Sequence, residues 1–137
     1  DQASALAFVY PQASTSAKDT LEAKRPFERF FRQHHMTVKH YHCDNGIFAS
    51  KKFRAAVDTA QQTMTFCGVN AHHQKCVAKR CIQDLADRTR SMLVNARHRN
   101  PFATGHLWPF ALCLASEINR TIPKRSNTKS PLEIFLV

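Results

Sequence analysis

The stretch GVNAHHQKCVAKRCIQDLADRTRSML, from Gly68 to Leu93, decides how this chain folds. Gly68 closes a short apolar run, Thr63 to Cys67, whose length and ending predict a strand. Beyond it Val77, Cys81, Leu85, Met92 and Ala96 recur at helical intervals, which predicts a long helix from about Gln74 to Ala96. A strand closed by glycine and followed by an amphipathic helix is the repeating step of a layered α/β fold.

The same step recurs upstream. Thr37 to Cys43 alternates Val38, His40 and His42 with Lys39 and Tyr41 and ends at Asp44-Asn45-Gly46, a strand that delivers an aspartate to its carboxyl end before a tight turn. Ser50 to Gln62 then predicts a helix with Phe53, Val57 and Ala60 or Gln61 on one side. Ser16 to His35 predicts another, with Leu21, Phe27, Phe30 and Phe31 on a shared face, Ser16 as N-cap and Asp19 three positions on. Pro26 falls inside that helix, where a missing N–H and a clash with the preceding turn cost about 3 kcal/mol or a kink. ALAFVY, residues 5–10, ends at Pro11 and predicts a strand, so the chain reads as a fragment that opens inside a sheet. Downstream, Gly105 to Asn119 predicts a helix with Leu107, Phe110, Ala111 and Leu114, and PKRSNTKSP predicts a basic linker into the apolar LEIFLV. The expected organisation is one domain over residues 1–122 and a linker with an apolar tail over 123–137.

Charge narrows the function. Twenty Lys and Arg stand against ten Asp and Glu, a formal net charge of +10 and a pI near 9.8. An anionic partner suits that excess, with nucleic acid first among them, and a solvated basic surface without a ligand is the alternative. No apolar run approaches the roughly 20 residues of a membrane span, and DQASALAFVYPQ lacks the basic start of a secretory signal. The odd set Cys43, Cys67, Cys76, Cys81 and Cys113 has no framework spacing and predicts reduced intracellular thiols. A zinc site from Cys67, His72, His73, Cys76 and Cys81 has no Cys-x-x-Cys or His-x-x-x-His pair to support it.

Four segments in order, DQASALAFVYPQ, YHCDNGIFASKKF, AHHQKCVAKRCIQDLADRTRSML and LWPFALCLASEIN with SPLEIF, resemble the catalytic core of copia-type retrotransposon integrases, a DDE-type family of the ribonuclease H-like superfamily. The resemblance spans essentially the whole chain. It implies an α/β fold with a mixed sheet flanked by helices, the first strand or strands missing here. It also implies DNA integration by metal-dependent phosphoryl transfer, magnesium or manganese as cofactor, DNA as partner, homo-oligomerisation and a nuclear location. Such chemistry uses two cations about 3.5–4 Å apart, held by three carboxylates, because hard cations prefer carboxylate oxygens.

Carried over residue by residue, one carboxylate finds its counterpart. Asp44, before Asn-Gly, matches the family's second aspartate and is the one candidate catalytic and metal ligand. Thirty-five positions later Val77-Ala78-Lys79-Arg80 stands where the family reads Val-Ala-Glu-Arg, so Lys79 occupies the glutamate position. The first aspartate belongs to a strand upstream of Asp1, which is not counted as catalytic, and Lys75-Cys76 replaces the family's Asn-Gly. Two unit charges 4 Å apart interact by about 4 kcal/mol at an effective dielectric near 20, so an ammonium in place of a carboxylate turns attraction for a dication into repulsion of that order. The expectation is a catalytically silent core in which the metal is not bound productively, Asp84 and Glu117 being the weakest of substitutes. Lys75, Lys79, Arg80, Arg88 and Arg90 are the candidate phosphate contacts, or else a solvated helix face. His72 and His73 read as the loop before the long helix, and Phe27, Phe30, Phe31, Trp108 and Phe110 as core. Three readings stay open: a relic core, a fragment of an active integrase, and a non-enzymatic binding module.

Overall fold

A computed structural model describes residues 4–68, 72–123 and 128–136, with the side chains of 72–77 outside that description. Its elements in order are α1 (Ala17–Gln33), β1 (His40–Cys43), a 3-10 turn (Ile47–Ala49), α2 (Lys51–Thr59), β2 (Thr63–Phe66), α3 (His72–Arg99), a second 3-10 turn (Gly105–Leu107), α4 (Trp108–Thr121) and α5 (Pro131–Phe135). They divide into two compact units, Tyr10–Cys76, and Asp1–Val9 with Val77–Val137.

In the Tyr10–Cys76 unit, β1 and β2 pair in parallel, His40 opposite Thr63 through Cys43 opposite Phe66, with α2 as the crossover. Parallel neighbours require such a connection, because a hairpin would reverse the second strand. Tyr41 and Cys43 turn inward on β1 while His40 and His42 face solvent, and β2 hides Met64 and Phe66 more than Thr63 and Thr65. Phe53 and Val57, at i and i+4 on α2, are 2% and 1% exposed and form the centre of this layer. Tyr41 and Phe48 meet Phe53 edge-on at centroid distances of 6.0 and 5.3 Å. Phe27 meets Phe31 with tilted rings at 4.8 Å and reaches Tyr41 at 6.1 Å, so α1 extends the aromatic core.

Helix limits follow local chemistry. Ser16 accepts from the Asp19 N–H and Ser50 from the Phe53 N–H, capping α1 and α2. His35 and Gln61 take left-handed backbone, φ 58° and 53°, and just beyond them Met36 and Gln62 donate back to the carbonyls of Phe31 and Val57. These are Schellman-type closures built without glycine. Pro26 lies inside α1, which continues through it.

Three expectations change here. Residues 5–10 form no strand: Ala5 has φ 58° and Leu6 N–H donates to Ser4 Oγ at 3.2 Å, so the chain turns where a strand would extend. Among the described residues the ladder is the parallel β1–β2 pair, and a larger mixed sheet is not among them. His72 and His73 lie in α3 rather than before it, since no Gly or Pro interrupts residues 69–100.

In the other unit α3 buries Leu85 and Thr89, and it stops at Arg99, just before Asn100-Pro101, as a residue preceding proline leaves the α region. α4 begins after the 3-10 turn, with Pro109 in its first turn, and buries Ala115 and Ser116. Its Phe110 and Leu114 fall on the opposite side, 73% and 54% exposed, and Trp108 is 46% exposed. The core assignment of Trp108 and Phe110 is therefore corrected: α4 packs through small residues, which turns its aromatic positions outward. The tail segment is a helix, α5, which packs on α4 and is fixed by a capping box between Ser130 and Glu133.

Candidate nucleic-acid interface and the Asp44 turn

Asp44 leaves the carboxyl end of β1, where parallel sheets gather functional groups. Its side chain is exposed, and Oδ1 accepts the Gly46 N–H at 3.3 Å, so the carboxylate organises the Asn-Gly turn. Asn45 Nδ2 donates to the Cys67 carbonyl at 3.0 Å, tying the end of β1 to the end of β2. Burial, with the charges of Asp44 and Cys67 adding to it, pushes the Cys43 thiol up to about 11.

The solvent face of the same strands carries a feature that the sequence alone did not disclose. His40 Nδ1 and Nε2 lie 2.7 and 2.9 Å from Thr63 and Thr65 Oγ1, His42 Nδ1 lies 2.9 Å from Thr65 Oγ1, and His42 Nε2 lies 3.4 Å from Cys67 Sγ. The two-residue spacing of His40 and His42, and of Thr63 and Thr65, was its only sequence signal. Facing them requires the register. Beneath this layer Glu28 Oε1 accepts from Lys24, Tyr41 and Gln62 at 2.6, 2.9 and 2.6 Å. Burial raises the Glu28 carboxyl, but those three donors and the Lys24 charge outweigh it and leave it below its ordinary value. Burial pushes Tyr41 far up, and the Glu28 carboxylate beside its hydroxyl adds to the shift.

In the other unit Lys79, Arg80, Arg88 and Arg90 are all exposed on α3, while the Lys75 side chain lies outside the described residues. At about 100° per residue, Lys79, Arg90 and Arg97 share one line along the helix, whereas Arg88 points to a different side. Arg97 and Arg99 extend the positive helix beyond the residues singled out from sequence, and cations there also suit the negative end of the helix dipole. Arg90 pairs with Asp87 at 2.9 Å, with both side chains largely exposed, so that pair adds little stability. Of the substitute carboxylates, Glu117 pairs with Arg120, and Asp84 is exposed on α3.

A two-cation centre is a poor match for these donors. Asp44 already serves a turn, and among the described residues no three His, Cys, Asp or Glu side chains come together as a metal site. Of the proposed zinc ligands, Cys67 is buried against His42, Cys81 is half-buried on α3, and the side chains of His72, His73 and Cys76 lie outside the described residues. Cys43, Cys67, Cys81 and Cys113 are free thiols. Among the described residues no helix is long and apolar enough to cross a membrane.

The β1–α2–β2 parallel step, the long helix after it and the paired C-terminal helices define a fold similar to that of an integrase catalytic core. The particular likeness is to the crystal structure of the catalytic core domain of BIV integrase, with a TM-score of 0.66 and 25% identity over 97% of this chain and 79% of that one. No protein-family model and no curated protein matches the chain.

Proposed function

We propose that this chain is an integrase-core domain of a copia-type retroelement polyprotein, ribonuclease H-like in fold, that has lost strand transfer and keeps electrostatic affinity for nucleic acid. The observation that carries the reading is the fold likeness to an integrase core across nearly the whole chain, combined with a lysine at the position the resemblance assigns to the catalytic glutamate. Magnesium or manganese belongs to the family chemistry. Here Asp44 is the one carboxylate that the resemblance retains, so no reaction step is assigned to a metal.

The exposed cations of α3 support binding over catalysis. Lys79, Arg80, Arg88 and Arg90 are free of burial, and each phosphate that a cation neutralises contributes a salt-dependent increment to affinity. A labelled-donor strand-transfer assay with magnesium or manganese tests the loss of chemistry, and efficient joining by the purified chain would defeat it. Duplex binding followed against salt tests the rest. Lys79→Glu is expected to weaken binding severalfold and lower the slope of log affinity against log salt by about 1. Absent low-salt affinity, or a slope unmoved by that substitution, would remove the binding reading.

A further inference from the structure

Within the unit of Asp1–Val9 and Val77–Val137 lies a groove of about 580 Å³. Leu85 and Leu93 of α3 line it together with Trp108 and Leu112 of α4, and Arg90 and Arg97 are the charged residues of its lining. Arg90 and Arg97 are two helical turns apart, about 10 Å along the axis, with Leu93 between them. Arg90 is engaged by Asp87, whereas Arg97 has no ion-pair partner among the described residues.

We infer that this groove binds an amphipathic monoanion, a medium-chain aliphatic carboxylate whose chain lies along the leucine and tryptophan walls and whose head group pairs with Arg97. The volume lies in the range of small-ligand sites, which combine apolar walls with a few orienting polar groups. A guanidinium offers a planar fork that a carboxylate meets with two hydrogen bonds. Charge complementarity selects the anion, and the apolar walls select the aliphatic body. A nucleic-acid backbone supplies the charge but no aliphatic chain to cover those walls. The inference therefore stands apart from the DNA-binding reading.

Trp108 is the chain's single tryptophan and lines the groove, so its emission reports occupancy directly. Titrating the full chain with decanoate below its micelle concentration should give a saturable change in that emission. Arg97→Gln should weaken decanoate by about tenfold or more, the loss of one charge-assisted contact. Arg88→Gln, on another side of α3, should leave it unchanged, and decanol should bind both wild type and Arg97→Gln weakly and alike. No saturable change, equal affinity for decanol and decanoate, or equal effects of the two arginine variants would overturn the assignment.

Discussion

Replacing Glu28 with alanine tests how the layer beneath β1 is held together. One oxygen, Oε1, accepts from an ammonium, a phenol and an amide at 2.6, 2.9 and 2.6 Å. The Glu28 side chain is 20% exposed and that of Lys24 only 8%, so solvent screens this pair far less than a surface pair. Truncation leaves the Lys24 charge covered and uncompensated, a situation that costs about 3–5 kcal/mol, and leaves the Tyr41 hydroxyl without its acceptor. Lys24 also lies over the Tyr41 ring at 5.6 Å, and the Gln62 amide keeps the Val38 carbonyl at 2.9 Å, so part of the loss is recovered. The net expectation is about 3 kcal/mol of destabilisation, more than a hundredfold in the unfolding constant. Hydrogen exchange of α1 and β1 peptides, with urea denaturation followed by far-ultraviolet circular dichroism, reads it where it occurs. The double variant Lys24→Met/Glu28→Leu should regain at least half the loss, since removing both charges removes the stranded one. A Glu28→Ala loss below about 1 kcal/mol, or a double variant no better than the single, would refute the stranded-charge argument.

Two further outcomes follow from neighbouring features. Glu28 sits below its ordinary value of 4.5 in the folded chain, so its contribution is fully present above that pH and is lost as pH falls through the depressed value. Tyr41, raised above 10.0, contributes fully below about pH 10 and loses that contribution in stronger base. Urea midpoints across pH should therefore fall on both sides of a plateau, and the acid limb should flatten in Glu28→Ala; an unchanged acid limb would contradict the assignment. Pro26→Ala restores an N–H facing the Glu22 carbonyl within α1. It should stabilise the chain by about 1–2 kcal/mol, the helix penalty less the entropy that proline removes from the unfolded state. A lower urea midpoint would show that the proline suits its place.

Legibility in the sequence followed the range of the interactions. The cap at Ser16, the inward pair Phe53 and Val57, and the two strands rest on spacings of a few residues, and all were readable. So was Asp44 at a strand end, because Asn-Gly marks the turn after it. The run at residues 5–10 misled because apolar composition signals burial, and Leu6 is indeed buried, but burial does not require a ladder partner. Trp108 and Phe110 misled for the converse reason: α4 hides Ala115 and Ser116 instead, a choice made by its neighbours and invisible in its own periodicity. The Ser130–Glu133 capping box was present as Ser-x-x-Glu, yet the basic residues ahead of it read as linker. The histidine–threonine face depends on pairing His40 with Thr63, twenty-three positions apart, and no local pattern fixes that register.

On the proposed reading, the lysine at position 79 acts against catalysis and in favour of binding at once. A carboxylate on α3 would lower the positive potential along Lys79, Arg90 and Arg97 while attracting a dication. An ammonium there does the reverse on both counts. Lys79→Glu alone is consequently expected to cost affinity for DNA without returning strand transfer, because it brings the carboxylates matched to the resemblance to two, at positions 44 and 79. Two cations need several shared oxygens to offset their mutual repulsion and their lost hydration. Two carboxylates, Asp44 and a glutamate at position 79, fall short of the three that the resemblance calls for.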